Sequence, residues 1–217
     1  MTKREEFFKK LYPFILGFYA LFNIGWGIYY ITQNRPYYYI LAFSALLFIP
    51  IVDLVYKLLR FQPIYQLNAF IYLFIFMLYT LGIVLQFYSY VPHFDKIAHT
   101  FSGAFVSFLA LILFYLLKPS REIEESDFPL ASVFSLAVSM GMACFWEICE
   151  YTLDLVVHND PQKVLTTGIH DTMQDMIVCT IGALLMFIPY YLYYKKKKVG
   201  FIMGGFERMV QVNLKKK

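Results

Sequence analysis

Apolar residues run along this chain in six long blocks, each broken by a short polar or proline-bearing stretch. A helix that crosses a bilayer needs roughly 20 mostly apolar residues. Six segments meet that length: about 11–31, 37–58, 64–88, 95–117, 129–156 and 171–194. The breaks are Gln33-Asn34-Arg35-Pro36, Arg60-Phe61-Gln62-Pro63, Val91-Pro92, Lys118-Pro119-Ser120 and His158-Asn159-Asp160-Pro161, all strong turn formers. The pattern predicts an all-α polytopic membrane bundle of six transmembrane helices. It makes a single transmembrane domain over residues 1–217, with a basic tail over 195–217.

Composition agrees with that reading. The chain is 59% hydrophobic and 16% charged, against about 45–50% and about 25% for a soluble domain. Its start, MTKREEFFKK, leads into an apolar stretch with no small-residue cleavage site. That predicts a retained helix and not a signal peptide. Cys144, Cys149 and Cys179 fall inside the spans without CxxC spacing, so free thiols packed as small hydrophobes are expected.

Lysine and arginine divide unequally between the two sides of the predicted spans. Sixteen of the nineteen lie on the side of both termini; only Arg35, Lys96 and Lys163 fall on the other. Basic residues favour the cytoplasmic side, so both termini are expected in the cytoplasm of a multi-pass protein of the plasma (inner) membrane. The run Lys195–Lys198 then reads as a contact with anionic lipids, each such charge being worth about 1 kcal/mol near an anionic leaflet. Nucleic-acid binding is not expected from these flanking charges.

Three polar clusters interrupt the blocks: DKIAH at Asp95–His99, WEICEY at Trp146–Tyr151 and HDTMQD at His170–Asp175. The orientation puts all three in the outer half of the membrane. Asp95 and His99 share a helical face, as do Asp171 and Asp175, while Glu147, Glu150 and Asp154 follow i, i+3, i+7. Small residues continue these faces, including Ser102, Gly103 and Ser107, then Ala143 with Met140 one turn further on the same stripe, then Cys179 and Gly182. Small residues let membrane helices approach closely, so the acids are expected to face one another inside the bundle.

Five carboxylates at one depth cannot stay ionised and unpaired. Two like charges 4 Å apart repel by about 4 kcal/mol at an effective dielectric near 20. Either some acids keep their protons or a cation sits among them. The expected metal ligands are His99, Glu147, Glu150 and Asp175, with Asp171 and Asp95 as catalytic acids or bases. The donor set suits Zn²⁺, Mn²⁺ or Fe²⁺, and all-oxygen coordination suits Mg²⁺. Intramembrane ionisable groups are a functional-site hypothesis by default. No HExxH, P-loop, GxSxG or GxGxxG occurs in the chain.

DKIAH, WEICEY and TTGIHDTMQDMIVCTIGALL resemble the YjdF-like family of uncharacterised bacterial inner-membrane proteins. More distantly, their order looks like that of VanZ-like membrane proteins. The resemblance covers Asp95 to about Leu185 and implies membrane location and a shared polar constellation, without a reaction. Three functions stay open at this point. They are a metal-dependent hydrolase or transferase acting on a lipid-linked or envelope substrate, a cation- or proton-coupled transporter, and a structural or partner-binding membrane protein. The transporter requires polar groups to continue through the bundle, whereas below Ser107 and Cys179 the spans read as apolar.

Overall fold

Thr2 begins the first helix: its Oγ1 accepts a hydrogen bond from the Glu5 amide at 3.2 Å. Glu5 and Glu6 occupy the first turn, where acids favour the positive end of the helix dipole. Capping and charge thus start the helix well before the apolar block does. The computed structural model describes residues 2–158 and 160–215; Met1, Asn159 in the expected break, and Lys216 and Lys217 of the basic tail lie outside the described residues. Among the described residues, six helices are long and apolar enough to span a membrane: α1 Lys3–Thr32, α2 Pro36–Leu59, α3 Tyr65–Val84, α4 Phe94–Leu117, α5 Glu125–Val157 and α6 His170–Tyr194. Among the described residues there is no strand.

The chain divides into two compact units, one reaching from the N-terminus to Phe94 and including the last residues from Gln211, the other Asp95–Val210. The first unit is held by buried hydroxyls and amides that bond to backbone. Tyr19 OH donates to the Ala45 carbonyl and Tyr30 OH to the Val84 carbonyl, each at 2.8 Å. Asn23, fully buried, donates to the Tyr19 carbonyl and accepts from Thr80 Oγ1. The last nine residues of α3, Phe76–Val84, wind as a π-helix. The Tyr30 bond satisfies a carbonyl at its end, as irregular backbone at membrane depth requires. Glu5 carboxylate oxygens accept from the Tyr65 and Gln66 amides and so cap α3. Gln86, at φ 62°, ends the third block, so α3 stops short of the expected residue 88.

In the second unit, α4, α5 and α6 pack at the small-residue positions. A Cβ on Gly103 would collide with the Cys179 carbonyl, and one on Gly182 with the Thr100 carbonyl, so α4 and α6 touch backbone to backbone. The buried faces repeat every fourth residue. On α5 they are Asp127, Ala131, Ser135, Ser139, Ala143 and Glu147. This stripe keeps Glu147 and Ala143 of the expected one but continues through Ser139, leaving Met140 exposed.

The basic tail carries a further helix, α7 Phe201–Met209. Its Met203, Phe206 and Met209 are buried, and Phe206 packs on Tyr115 and Tyr193. One apolar face is enough to dock a helix that, at 9 residues, is too short to register as a span. In the first unit, Asn213 exchanges two hydrogen bonds with the Gln62 backbone, at 2.6 and 3.0 Å.

Candidate functional site

The first turn of α4, the last turns of α5 and the first turn of α6 meet at one end of the second unit. Lys96 reaches across from α4 to α6: its ammonium lies 2.6 Å from Asp171 and 2.8 Å from Asp175. Lys163, on the connection between α5 and α6, lies 2.8 Å from Asp95 Oδ2 and 3.1 Å from Asp171 Oδ2. Asp171 is therefore held between two ammoniums, and Asp171 and Asp175 are both buried. Burial alone would lower the pKa of Lys163. Its hydrogen bonds and ion pairs with Asp95 and Asp171 raise it above the usual lysine range, so it stays charged at any physiological pH.

His99 lies one turn along α4 from Asp95. Its Nε2 is 3.6 Å from Asp95 Oδ1 and 3.8 Å from Asp175 Oδ1, beyond direct hydrogen-bond length. Asp95 thus gives Oδ2 to the lysines and turns Oδ1 towards the imidazole. One ligand atom each from Asp95, His99 and Asp175 falls within 4.8 Å of the others. A tetrahedral zinc with bonds of about 2.0–2.1 Å places its ligand atoms roughly 3.3 Å apart, so the His99 separations close by a few tenths of an ångström and the widest separation in the set by up to about 1.5 Å to hold an ion. Asp175 Oδ1 also receives Lys96, and an ion there competes with that ammonium.

Of the expected ligands, His99 and Asp175 come together, joined by Asp95. Glu147 and Glu150 have other partners. Glu147, only 6% exposed, accepts from Gln162 Nε2 at both its carbonyl and its Oε2, at 3.0 and 3.1 Å. Its Oε1 has no partner among the described residues. Glu150 is half-buried, accepts from Trp146 Nε1 at 2.9 Å, and feels the charges of Glu147, Asp95 and Asp175. Asp154 Oδ1 accepts the Asp160 amide and so shapes the loop. His170 and His158 are exposed. Cys179 is buried, Cys149 half-buried and Cys144 exposed, so only the first matches the expected buried thiol. Gln162 carried no sequence signal, because its role depends on the loop conformation that turns it inward.

The opposite end of the same helices holds polar groups that hydropathy does not register. Tyr115 OH donates to Asp127 Oδ2 at 2.7 Å and pairs with Tyr194 OH at 2.6 Å. Lys118 bonds both Asp127 oxygens, and Ser107 pairs with Tyr190 OH at 3.1 Å. Tyrosine counts as apolar along a span yet carries a hydroxyl that needs a partner when buried. Below Ser107 the helix trio is therefore not purely apolar.

A model of the family described as predicted membrane protein (DUF2238) matches residues 14–196. The chain belongs to this family. It is also 32% identical, over 114 residues, to a protein of Thermotoga maritima described as uncharacterized. That alignment covers 52% of this chain and 55% of the relative, so the chain spans about half the length of the curated relative it matches. No solved structure matches the chain. DUF2238 membership fixes a multi-pass membrane protein, and the chemistry has to be argued from the acidic end itself.

Proposed function

We propose that the acidic end of α4, α5 and α6 is a metal site facing out of the cytoplasm, in a hydrolase or transferase that acts on a lipid-linked or envelope substrate. The observation that carries this is the convergence of Asp95, His99 and Asp175 beside two ammoniums. Asp95, His99 and Asp175 hold the ion, which supplies Lewis-acid activation of water or of a phosphoryl or acyl oxygen. Lys96 and Lys163, oriented by Asp171, stabilise negative charge developing on the substrate. Glu150, half-buried beside the group, serves as proton acceptor. The reading includes both termini in the cytoplasm of a bacterial inner membrane, a YjdF-like place within the family, and anionic lipid beneath the basic tail.

Charge balance supports an added cation. Asp95, Glu147, Glu150, Asp171 and Asp175 are five carboxylates against the two ammoniums of Lys96 and Lys163. One divalent ion removes most of that excess. The test is catalytic: full-length protein in nanodiscs, with Mn²⁺ or Zn²⁺ and a panel of lipid-linked phosphates and pyrophosphates, read by phosphate release. Release that depends on metal and is lost in His99→Ala is expected. Release no greater than that of His99→Ala, whatever the metal, overturns the enzyme.

A structural clamp is favoured by a different observation, the short bonds from Lys96 to Asp171 and Asp175 that tie α4 to α6. It predicts that any cellular phenotype of Asp175→Asn follows protein abundance. A variant of normal abundance without function counts against it.

A further inference from the structure

Residues 160–169 form a strap between α5 and α6 that covers the acidic end. Its backbone is shaped locally. Asp160 takes the Val164 and Leu165 amides on its two carboxylate oxygens, at 2.6 and 3.2 Å. Lys163, at φ 53°, accepts the Thr166 and Thr167 amides at its carbonyl. Among the described residues, the strap makes no backbone–backbone hydrogen bond to α4 or α5. Three side-chain contacts fasten it: Asp154 of α5 on the Asp160 amide, Gln162 on Glu147, and Lys163 on Asp95 and Asp171. Beside Gln162 lies Oε1 of Glu147, which has no partner among the described residues. The outer face is apolar and bare, with Leu165 88% and Ile169 69% exposed. Side chains of that kind belong in the acyl boundary of a membrane, not in water.

We infer that this strap is a gate through which a phosphate-bearing lipid reaches the acidic end, with Lys163 exchanging its aspartates for the lipid phosphate as the gate opens. The inference rests on the reading of that end as an outward-facing site. Three features fit a lipid-borne anion. The apolar outer face sits with acyl chains. Lys163 and Lys96 offer charge-assisted bonds to phosphate oxygens. The exchange replaces one anion by another on the same ammonium, so the ligand gains a contact in the open state that the closed state cannot give, as a population shift requires. Opening breaks side-chain bonds alone and leaves the strap's own turns intact.

Amide hydrogen exchange of the strap peptides tests this, on the full chain in nanodiscs with a chelator present throughout. The three conditions are phosphatidylcholine alone, phosphatidylcholine with phosphatidic acid, and phosphatidylcholine with inorganic phosphate in the buffer. Phosphatidic acid is expected to speed strap exchange about tenfold, the worth of one charged hydrogen bond, with exchange in α4 and α6 unchanged. In Lys163→Met the strap exchanges fast in phosphatidylcholine alone and does not respond further; Lys118→Met, altered at the opposite end, keeps the wild-type response. Unchanged wild-type strap exchange with phosphatidic acid overturns the gate. An equal response to inorganic phosphate overturns the lipid source. Because the chelator removes metal, these outcomes are independent of the metal reading.

Discussion

The two ends of α4, α5 and α6 carry buried acids under opposite conditions. At one end stands a single buried carboxylate, Asp127. It accepts from Lys118, Tyr115 and the Glu124 amide, and Lys118 also reaches Glu124. Hydrogen bonds and one compensating charge leave neither Asp127 oxygen without a partner. At the other end stand five carboxylates, of which Asp95, Asp171 and Asp175 share two lysines, and the buried Glu147 keeps an oxygen without a partner among the described residues. A network that only holds helices together is expected to look like the first. Excess charge and an orphaned atom cost stability, and a site that binds something is a physical reason to keep them.

The largest difference is expected from neutralising each end in turn. Asp127→Ala takes the buried carboxylate from Lys118 and Tyr115, leaving them Glu124 and Tyr194 as partners, and is expected to cost about 3 kcal/mol, read as a fall in Tm in detergent. Asp175→Asn removes one negative charge from a surplus and leaves Lys96 paired with Asp171, so its cost is expected below about 1 kcal/mol. Equal losses would break the comparison.

Packing between the ends gives the next effect. Gly103→Ala drives a Cβ into the Cys179 carbonyl and is expected to cost about 1–3 kcal/mol. Gly141→Ala, whose added Cβ meets nothing within 4 Å, is expected to be neutral or slightly stabilising. Thermal unfolding of both variants separates a backbone contact from a general intolerance of side chains.

The smallest effect is a pH dependence shared by both ends. For Lys118, burial alone would lower the pKa, but Asp127 and Glu124 raise it above the ordinary lysine value, and Lys163 is raised likewise. A raised lysine stabilises the fold fully below its unfolded pKa, and the contribution fades as pH rises through the folded one. Stability should therefore be insensitive to these lysines at neutral pH and fall only in the alkaline lysine range. Lys163→Met should remove the part of that fall seen in strap exchange and leave the part due to Lys118.

Six spans were legible because twenty apolar residues in a row have few other uses. Their ends were not, since caps such as Thr2 and left-handed residues such as Gln86 act through local geometry that hydropathy ignores. The inward faces of α4 and α6 followed from four-residue spacing, and Asp95, His99, Asp171 and Asp175 share one end as the alternating direction of the spans implies. On α5 the expected stripe through Met140 gave way to one through Ser135 and Ser139, because serine weighs little against its apolar neighbours in a span. Glu147 meets Gln162 only because residues 160–169 fold back, which no periodicity reports. Lys96, next to Asp95 in sequence, is long enough to swing onto α6, and spacing alone could not choose its partner.

Metal content of the purified full-length chain tests the central claim most directly. After loading with Mn²⁺ or Zn²⁺ and desalting, elemental analysis is predicted to find about one ion per chain. That ion should be lost in His99→Ala and Asp175→Asn and retained in Gly141→Ala. Wild-type metal no higher than that of His99→Ala, with both variants folded, would contradict the account.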